Sequence, residues 1–337
     1  MINITAKQVE NSKKNIKINK GSSSEAAFGA EKGLVMRSTG SWYEVRNQSG
    51  HLYQCRLRGK FKIKGLQTSN PIAVGDKVFF EVEDKLENRG IISGIEHREN
   101  YIIRQSVHKT AHGHILAANI DQAVLIVTLK FPRTSLGFID RFLVTAESFR
   151  IPVTIIFNKT DLMNADEMQE MADIAEMYES LGYGTLNTSI VDNTGIEAFS
   201  ELLKGNINLL AGHSGVGKSS LVNAIAPHLD LKTMEVSTFA NKGVHTTTFA
   251  TMFEMDEDTF LIDSPGIKEL GLIDISKEEL AHFFPEMRAL LGQCKFHNCV
   301  HVNEPKCAVI QAVNDNEIGE SRYISYLSML DGGDNRR

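Results

Sequence analysis

The sequence lacks any apolar run long enough to cross a membrane as a helix. Its longest uncharged apolar run, residues 123–129, is ended by Lys130, whereas a membrane-spanning helix needs about 18 apolar residues. The start of the chain also lacks the charged region and apolar stretch of a secretory signal. These absences exclude a helical membrane protein, and we expect the chain to stay in the cytoplasm without a membrane partner.

Cysteine is also scarce, with four among 337 residues. In a reducing compartment we do not expect these cysteines to form disulfides. Cys294, Cys299 and Cys307 fall within fourteen residues of one another, and such clustering favours a metal site. Cys55 stands alone and is expected in a hydrophobic core.

Positive charge is concentrated near the start of the chain. The formal net charge is −6, but residues 1–110 carry 19 Lys and Arg against 11 Asp and Glu, and residues 111–337 carry 17 against 31. A basic module on an acidic body suggests a polyanionic partner, most commonly nucleic acid. An uneven solvated surface is the alternative explanation.

The composition predicts a folded chain with two or three domains. Hydrophobic residues make up 42% and charged residues 23% of the 337 residues, as in ordinary globular proteins with about 100–200 residues per domain. Residues 1–30 are polar and weakly basic, so we expect a disordered tail. Changes in pattern predict domains at residues 31–108, 109–272 and 273–337.

The domain at 31–108 contains short apolar segments separated by turn residues, which predict a barrel of about five strands. An RNA-binding OB-fold is the favoured architecture. Cations recur at every second position: Arg56, Arg58, Lys60, Lys62 and Lys64. An extended segment would place them on one face, which we interpret as a surface for RNA phosphates. A solvated edge strand protected by lysines is the alternative.

The domain at 109–272 alternates apolar strands with amphipathic helices, which is typical of a parallel sheet covered on both faces. One strand is followed by the letters GHSGVGKSS, which match the phosphate-loop motif GxxxxGK[ST]. In this motif backbone NH groups and the lysine bind phosphates, and the hydroxyl after the lysine binds Mg²⁺. We assign the loop residues to the nucleotide, with Ser219 also a magnesium ligand: Gly212, His213, Ser214, Gly215, Val216, Gly217, Lys218, Ser219 and Ser220.

The letters NKTD directly follow an earlier strand and match the NKxD signature of guanine-nucleotide proteins. The Asp161 carboxylate can accept hydrogen bonds from both the ring NH and the exocyclic amine of guanine, whereas adenine offers no such pair of donors. Asn158 is expected to fix the loop, and the stem of Lys159 to cover the base. Thr188 and Ser189 end the next strand, and we expect a backbone amide there to line the base.

Two further segments complete the predicted GTP site. The letters DSPG match DxxG, in which Asp263 reaches Mg²⁺ through water and the amide of Gly266 approaches the γ phosphate. Thr247 lies in the loop GVHTTT and is the second predicted magnesium ligand.

These motifs occur in an unusual order. Ordinary GTPases have the phosphate loop first and NKxD near the end, but here NKTD precedes the phosphate loop, and the threonine loop and DSPG follow it. The order predicts a circular permutation, which leaves the pocket intact because domain termini often lie close together. The predicted fold class is α/β: a circularly permuted P-loop GTPase domain with an N-terminal OB-fold β barrel and a small C-terminal helical zinc-binding domain.

Over roughly residues 33–330, the barrel, the permuted motifs and the C-terminal letters CKFHNCVHVNEPKCAV resemble the ribosome small-subunit-dependent GTPase A family, of the RsgA or YjeQ type. The resemblance implies a GTP hydrolase that binds the 30S subunit and its 16S rRNA and acts late in subunit assembly, with hydrolysis stimulated by the subunit. We expect a monomer that uses GTP/GDP, Mg²⁺ and one structural Zn²⁺.

The zinc ligands predicted from the cluster are three thiolates and one imidazole, a tetrahedral set of a common type. They are Cys294, Cys299, His301 and Cys307, with His297 as an alternative source of the imidazole. Because four protein ligands leave no vacant position, the site is predicted to be structural.

The residue that orients the attacking water is predicted to be unusual. Ile267 occupies the place of the glutamine that commonly follows DxxG, so intrinsic hydrolysis should be slow. His245, close to Thr247, resembles the family's water-positioning histidine and is the predicted catalytic residue. A GTP/GDP-controlled RNA-binding switch, in which hydrolysis is incidental, is the alternative function; NKTD argues against an ATPase or a kinase.

Overall fold

Five strands among the described residues close into a barrel. The structure, a computed structural model, describes residues 30–58, 70–105, 113–229, 250–263 and 275–332. The barrel strands are β1 (Glu31–Ser38), β2 (Tyr43–Asn47), β3 (Leu52–Leu57), β4 (Lys77–Asp84) and β5 (Arg89–Ile95). They pair in the order β1-β2-β3-β5-β4, and β4 pairs again with β1 to close the ring. The predicted five-stranded barrel of the OB type is confirmed.

The barrel interior is formed by the inward positions of these alternating strands. Tyr43 and Val45 alternate along β2 with half-buried residues, and both lie in one buried cluster with Cys55 of β3 and Phe80 of β4. The isolated Cys55 is fully buried in this core, as its sequence context predicted.

A hairpin that the sequence did not predict joins the barrel to the next domain. Its strands are β6 (Tyr101–Gln105) and β7 (Gly113–Ala118), paired antiparallel. Ala117 forms a parallel bridge with Val74 of the barrel and also packs in the core of the next domain. The predicted boundary at residue 108 therefore falls between the two strands of one hairpin.

The second domain is an α/β sheet with helices on both faces. Its strands are β8 (Gln122–Val127), β9 (Val153–Asn158), β10 (Gly184–Thr188), β11 (Ile207–Ala211), β12 (Thr251–Asp256) and β13 (Thr259–Asp263). Its helices are α1 (Leu136–Ser148), α2 (Ala165–Ser180), α3 (Ile196–Leu203) and α4 (Lys218–Ile225). The strands lie in the order β10-β9-β8-β11-β13-β12, with every neighbouring pair parallel except β13 and β12.

The two faces of this sheet explain the continuous apolar run of β8. Leu125 and Val127 pack in the core cluster that includes α1 and α2, whereas Val124 and Ile126 pack in the cluster on the opposite face, with α3 and α4. A strand buried on both faces needs apolar residues at every position rather than at alternate ones.

The last part of the described chain is a small helical domain. It contains a 3₁₀ turn at Leu280–Phe283 and the helices α5 (Pro285–Arg288), α6 (Ala308–Asn314) and α7 (Glu320–Leu330). Its core includes Phe284 and Tyr326 and extends to Val144 of α1. Over the described ranges, no helix has the length and apolar character needed to cross a membrane.

A buried charge network fixes this small domain to helices α1 and α2 of the second domain. Arg322 of α7 donates from Nη1 to Asp140 Oδ1 of α1 at 2.7 Å and from Nε to Glu286 Oε1 of α5 at 2.7 Å. The Tyr178 hydroxyl of α2 also donates to Asp140 Oδ1, at 2.8 Å. Burial alone would lower the pKa of Arg322, but the two carboxylates outweigh it and raise the pKa, so the guanidinium stays charged.

We predict that Arg322→Met destabilises the protein by about 3–5 kcal/mol, because it leaves buried carboxylates without their cation. Urea unfolding followed by circular dichroism measures the change. The matched control Arg89→Met, which removes an exposed arginine near Glu87, should cost less than about 0.5 kcal/mol. Equal effects of the two substitutions would show that the buried network does not hold the domains together.

Candidate functional site

The predicted phosphate loop connects β11 to α4 in a backbone conformation that requires glycine. Gly212 has a φ of 138° and Gly217 a φ of 97°, values that favour glycine. A Cβ atom at Gly212 would lie 2.2 Å from the carbonyl oxygen of Ile126, and one at Gly217 would lie 2.4 Å from Nδ2 of Asn158. The loop is therefore packed closely against both β8 and the NKTD segment.

Lys218 crosses the loop from the first position of α4. Its Nζ donates to the carbonyl oxygens of Gly212 at 2.9 Å and His213 at 2.8 Å. Ser219 is half-buried in the first turn of α4, and Ser220 is exposed. A cation and the NH groups of a helix N-terminus thus lie together, which is the arrangement that binds phosphate.

Asn158 connects the predicted guanine loop to the phosphate loop. Its Nδ2 donates to the carbonyl oxygen of Val216 at 2.8 Å, and its Oδ1 accepts from the Thr188 hydroxyl at 3.0 Å. All three residues are buried. A single amide side chain therefore joins the ends of β9 and β10 to the loop after β11, the loop-fixing role expected of Asn158.

Lys159 makes a second connection between the same loops. Its φ is 64°, and its Nζ donates to the carbonyl oxygens of Phe131 at 2.7 Å and Gly215 at 2.6 Å. The two acceptors hold the aliphatic stem in one direction across the site.

Asp161 and Ser189 meet at the guanine end of the site. The Ser189 hydroxyl donates to Asp161 Oδ1 at 2.8 Å, while Asp161 itself is exposed. The backbone NH of Ser189 donates to the carbonyl of Thr194 at 3.0 Å. The hydroxyl of Ser189 therefore orients the carboxylate of Asp161, and the base-lining amide expected near Thr188 and Ser189 stays a prediction.

The segment between β8 and α1 contributes to the site although no motif indicated it. It supplies the Phe131 carbonyl that binds Lys159, and the Thr128 hydroxyl donates to the carbonyl of Pro132 within it. The ring of Phe138, in α1, lies 3.9 Å from the ring of His213 between centroids. The sequence signals in this segment are Pro132 and the helix-capping Ser135. They predict a turn, but they do not predict that the turn contacts the guanine loop.

Several predicted site residues cannot be placed in this geometry. His245, Thr247 and Gly266 lie outside the described residues.

Asp263 is the last residue of β13. Its backbone pairs with Leu210 of β11, two residues before the phosphate loop begins. The start of the DxxG segment therefore lies beside the phosphate loop, as the motif requires.

The predicted metal ligands converge in the C-terminal domain. One ligand atom from each of Cys294, Cys299, His301 and Cys307 lies within 4.8 Å of all the others. The Sγ atoms of Cys294 and Cys307 are 3.8 Å apart, and His301 Nδ1 is 3.6 and 3.3 Å from them. Zn–S bonds of about 2.3 Å in a tetrahedron place two sulfurs about 3.8 Å apart, so the donor set fits zinc.

The loop that carries His301 is held by hydrogen bonds to its backbone. Tyr323 donates to the His301 carbonyl at 2.7 Å, and Tyr326 donates to the Val300 carbonyl at 2.8 Å. Burial opposes ionisation of Glu304, but backbone NH groups, including those of Val300 and Val302, lower the pKa of its carboxyl to about 2. These contacts give His301 its place among the thiolates; the alternative ligand, His297, is exposed and lies outside the cluster.

Two members of the predicted basic stripe, Arg56 and Arg58, lie among the described residues of the barrel. Arg56 and Arg58 lie on one exposed face, as predicted, whereas Lys60, Lys62 and Lys64 lie outside the described residues. Arg58 donates to both carboxylate oxygens of Glu81 at 3.1 and 3.0 Å. Arg56 lies 3.7 Å from Glu83, and its guanidinium is 5.7 Å from the centre of the Trp42 ring. Both arginines thus face carboxylates of β4 on an exposed surface, which agrees with the alternative of a solvated strand.

Family models match most of the chain. The model described as RsgA GTPase matches residues 95–273, and the model described as RsgA N-terminal domain matches residues 32–92. The two matches cover the sheet with its phosphate and guanine loops and the barrel.

Curated relatives and solved structures match at nearly full length. The small ribosomal subunit biogenesis GTPases RsgA of Cytophaga hutchinsonii and Bacteroides fragilis are 50% and 48% identical, over 91% and 89% of this chain and 100% and 96% of their own lengths. The crystal structure of YjeQ from Thermotoga maritima matches with a TM-score of 0.73 at 36% identity, over 91% of this chain and all of that one. The structure of YloQ, a circularly permuted GTPase, has a TM-score of 0.70 at 30% identity, over 91% of this chain and 96% of its own.

The comparisons agree with the geometry of the site. The guanine loop precedes the phosphate loop in the chain, yet the two are joined by hydrogen bonds in space, as expected for a circularly permuted nucleotide-binding domain. The chain belongs to the RsgA GTPase family and is a circularly permuted GTPase.

Proposed function

We propose that this GTPase acts in the late assembly of the small ribosomal subunit, binding the 30S particle and hydrolysing GTP in response to it. The observation that carries the nucleotide part is the joining of the guanine loop to the phosphate loop through Asn158 and Lys159. The names of curated relatives that this chain matches at nearly full length support the ribosomal part. We also propose a cytoplasmic monomer without a membrane partner.

The guanine base is assigned to the carboxylate of Asp161. Ser189 holds one carboxylate oxygen from the protein side, which limits rotation of the carboxylate and favours a fixed pair of acceptors. Guanine presents two adjacent donors to such a pair, whereas adenine would leave it unsatisfied. Thr188 supports the same end of the site through Asn158.

The phosphates are assigned to residues 212–220, with Lys218 as the cation. Ser219, in the first turn of α4, and Thr247 would hold the Mg²⁺ that accompanies the phosphates, and Asp263 and Gly266 would complete that end of the site. Bound Mg²⁺ supplies positive charge to the β and γ phosphates. The Lys218 ammonium now donates to loop carbonyls, so it is already oriented along the loop that receives the phosphates.

The attacking water is assigned to His245. Since Ile267 cannot bind water where GTPases commonly have glutamine, the free protein should hydrolyse GTP slowly. The barrel at 31–108 and the metal domain at 273–337 would contact 16S rRNA. These contacts would stabilise the arrangement in which His245 reaches the attacking water in the nucleotide site of the domain at 109–272. Binding to the subunit then sets the rate of hydrolysis.

The metal site is assigned one structural Zn²⁺. Its four ligands leave no vacant position for chemistry, and they lie next to the core formed by α5, α6 and α7. The metal would therefore act by stabilising this small domain.

We predict that Asp161→Asn lowers GTP affinity by about 100-fold or more and weakens the preference for guanine, because only a carboxylate matches both donors. Titration with GTP and ATP measures both quantities. Asp166→Asn, at an exposed acid in the first turn of α2, is the matched control and should bind like the wild type. An unchanged preference for guanine in Asp161→Asn would contradict the base assignment.

We predict one zinc per chain, and we expect Cys307→Ser to lose the metal together with the ordered fold of the α5–α7 domain. Elemental analysis measures the zinc, and circular dichroism measures the helix content. Cys55→Ala changes a cysteine far from the cluster and should keep the metal. Wild-type protein purified without chelator that contains no zinc would overturn the ligand assignment.

We predict that purified 30S subunits accelerate GTP hydrolysis and that His245→Ala reduces the stimulated rate by about 100-fold or more. Nucleotide affinity should stay within a few-fold, because the imidazole acts on water rather than on the bound phosphates. His228→Ala, at an exposed histidine after α4, is the control. A wild type that binds subunits without stimulation would favour the alternative of an RNA-binding switch.

A further inference from the structure

The β12–β13 hairpin connects the two segments that sense the γ phosphate in the proposed site. β12 begins at Thr251, four residues after Thr247, and β13 ends at Asp263, the first residue of DSPG. A change in the position of this hairpin therefore displaces the attachment points of both segments.

The barrel is joined to the outer edge of the same hairpin. β12 is the last strand of the GTPase sheet, and β1 of the barrel pairs antiparallel with it, with Arg37 opposite Thr251. The eleven strands consequently form one continuous sheet within the described part of the chain. The barrel therefore covers the hydrogen-bonding edge of β12 where that strand begins, at Thr251.

Apolar packing reinforces this junction. Met36 of β1 lies in the same buried cluster as Ala250, Met252 and Phe260, and Leu34 packs against that cluster. Residues of the barrel thus belong to the core of the GTPase domain, so β1 and the hairpin share close-packed neighbours. In an interior packed this densely, displacement of one strand is transmitted to the next.

A bidentate ion pair crosses the junction. Arg46 lies on β2, one strand further from the hairpin, and reaches over β1 to Glu254 of β12: Nε donates to Oε2 at 2.7 Å and Nη2 to Oε1 at 2.6 Å. Its guanidinium also lies 5.6 Å from the centre of the Phe260 ring on β13. The side chain of Arg46 is 16% exposed and that of Glu254 36% exposed. A planar guanidinium held by two bonds and a ring fixes an orientation as well as a distance.

We propose that Arg46 and Glu254 are positioning residues that couple the barrel to the β12–β13 hairpin, so that RNA bound by the barrel and the γ phosphate of GTP each influence the other's site. This inference rests on the proposed function for the identity of the barrel's ligand, but the mechanical link itself does not. Because such coupling is reciprocal in binding free energy, the nucleotide must change the barrel just as the RNA changes the nucleotide site.

The first test uses the free protein. Hydrogen exchange by mass spectrometry compares the GDP complex with that of a non-hydrolysable GTP analogue. In the wild type, amides of β1 and β2 should exchange several-fold more slowly with the analogue, and Arg46→Ala and Glu254→Ala should abolish this difference. Arg89→Ala, which removes an exposed barrel arginine distant from the hairpin, should retain it. An equal nucleotide response in Arg46→Ala and the wild type would overturn the proposal.

The second test uses purified 30S subunits. With GDP bound, Arg46→Ala should bind subunits within about twofold of the wild type, and it should keep its basal hydrolysis of GTP. It should lose about tenfold of the subunit-stimulated rate. The double variant Arg46→Glu with Glu254→Arg again places opposite charges at the two positions, and it should recover most of the stimulation. A variant that is only structurally damaged would not recover it. Arg46→Lys keeps the positive charge but cannot form the bidentate pair. It replaces Arg46→Ala in both tests if the alanine variant fails to fold.

The two tests separate the possible failures. If nucleotide changes exchange in β1 and β2 but subunits do not stimulate the wild type, the coupling stands and the ribosomal function is wrong. If subunits stimulate the wild type and Arg46→Ala equally, the ribosomal function stands and the coupling is wrong.

Discussion

Hydrogen bonds from Asn158 and Lys159 to the carbonyls of Val216 and Gly215 hold the loop after β9 against the loop after β11. The strands β9 and β11 are not neighbours, because β8 lies between them. Their loops meet since parallel strands all present their carboxyl ends at one edge of the sheet, where ligands bind in folds of this kind. The order in which the strands are connected has no bearing on this geometry. The circular permutation therefore changes which segments are covalently continuous and leaves the pocket in place.

The C-terminal domain depends on α1, which also contacts the phosphate loop. Phe138 of α1 packs against His213, and Asp140, two residues later, forms the buried ion pair with Arg322. Val144 then enters the core of the helical domain. Burying charges is costly unless they are paired with good geometry. The pair with Arg322 favours one orientation of the C-terminal domain on α1 over other apolar packings of similar area.

Charge is divided unevenly along the chain. Excess positive charge lies in residues 1–110 and excess negative charge in the remainder. The described residues up to position 105 carry ten Lys and Arg against nine Asp and Glu, so most of the positive excess belongs to residues outside the described ranges. The described arginines at the barrel face are partly neutralised by glutamates of β4. A partner would have to compete with these exposed pairs, which are individually weak.

Local patterns in the sequence were sufficient for the fold class, the strands of the sheet, the loops that follow β9 and β11, and the four residues that cluster in the C-terminal domain. Each depends on short spacings: glycines and lysine within one loop, apolar runs for β8 and β9, and thiolates with an imidazole within fourteen residues of Cys294. Their chemistry is visible because the interacting groups are close in the chain.

Only the tertiary structure decided which groups meet across long separations. The carbonyl of Phe131 on Lys159, the hydroxyl of Ser189 on Asp161, and the reach of Arg46 to Glu254 each join segments that no spacing relates. The hairpin of β6 and β7 was also unforeseen, since its strands are stabilised by packing between two domains. Contacts of this kind arise from the packing of whole elements, and a sequence pattern records an element's own faces but not the neighbour against which each face is buried.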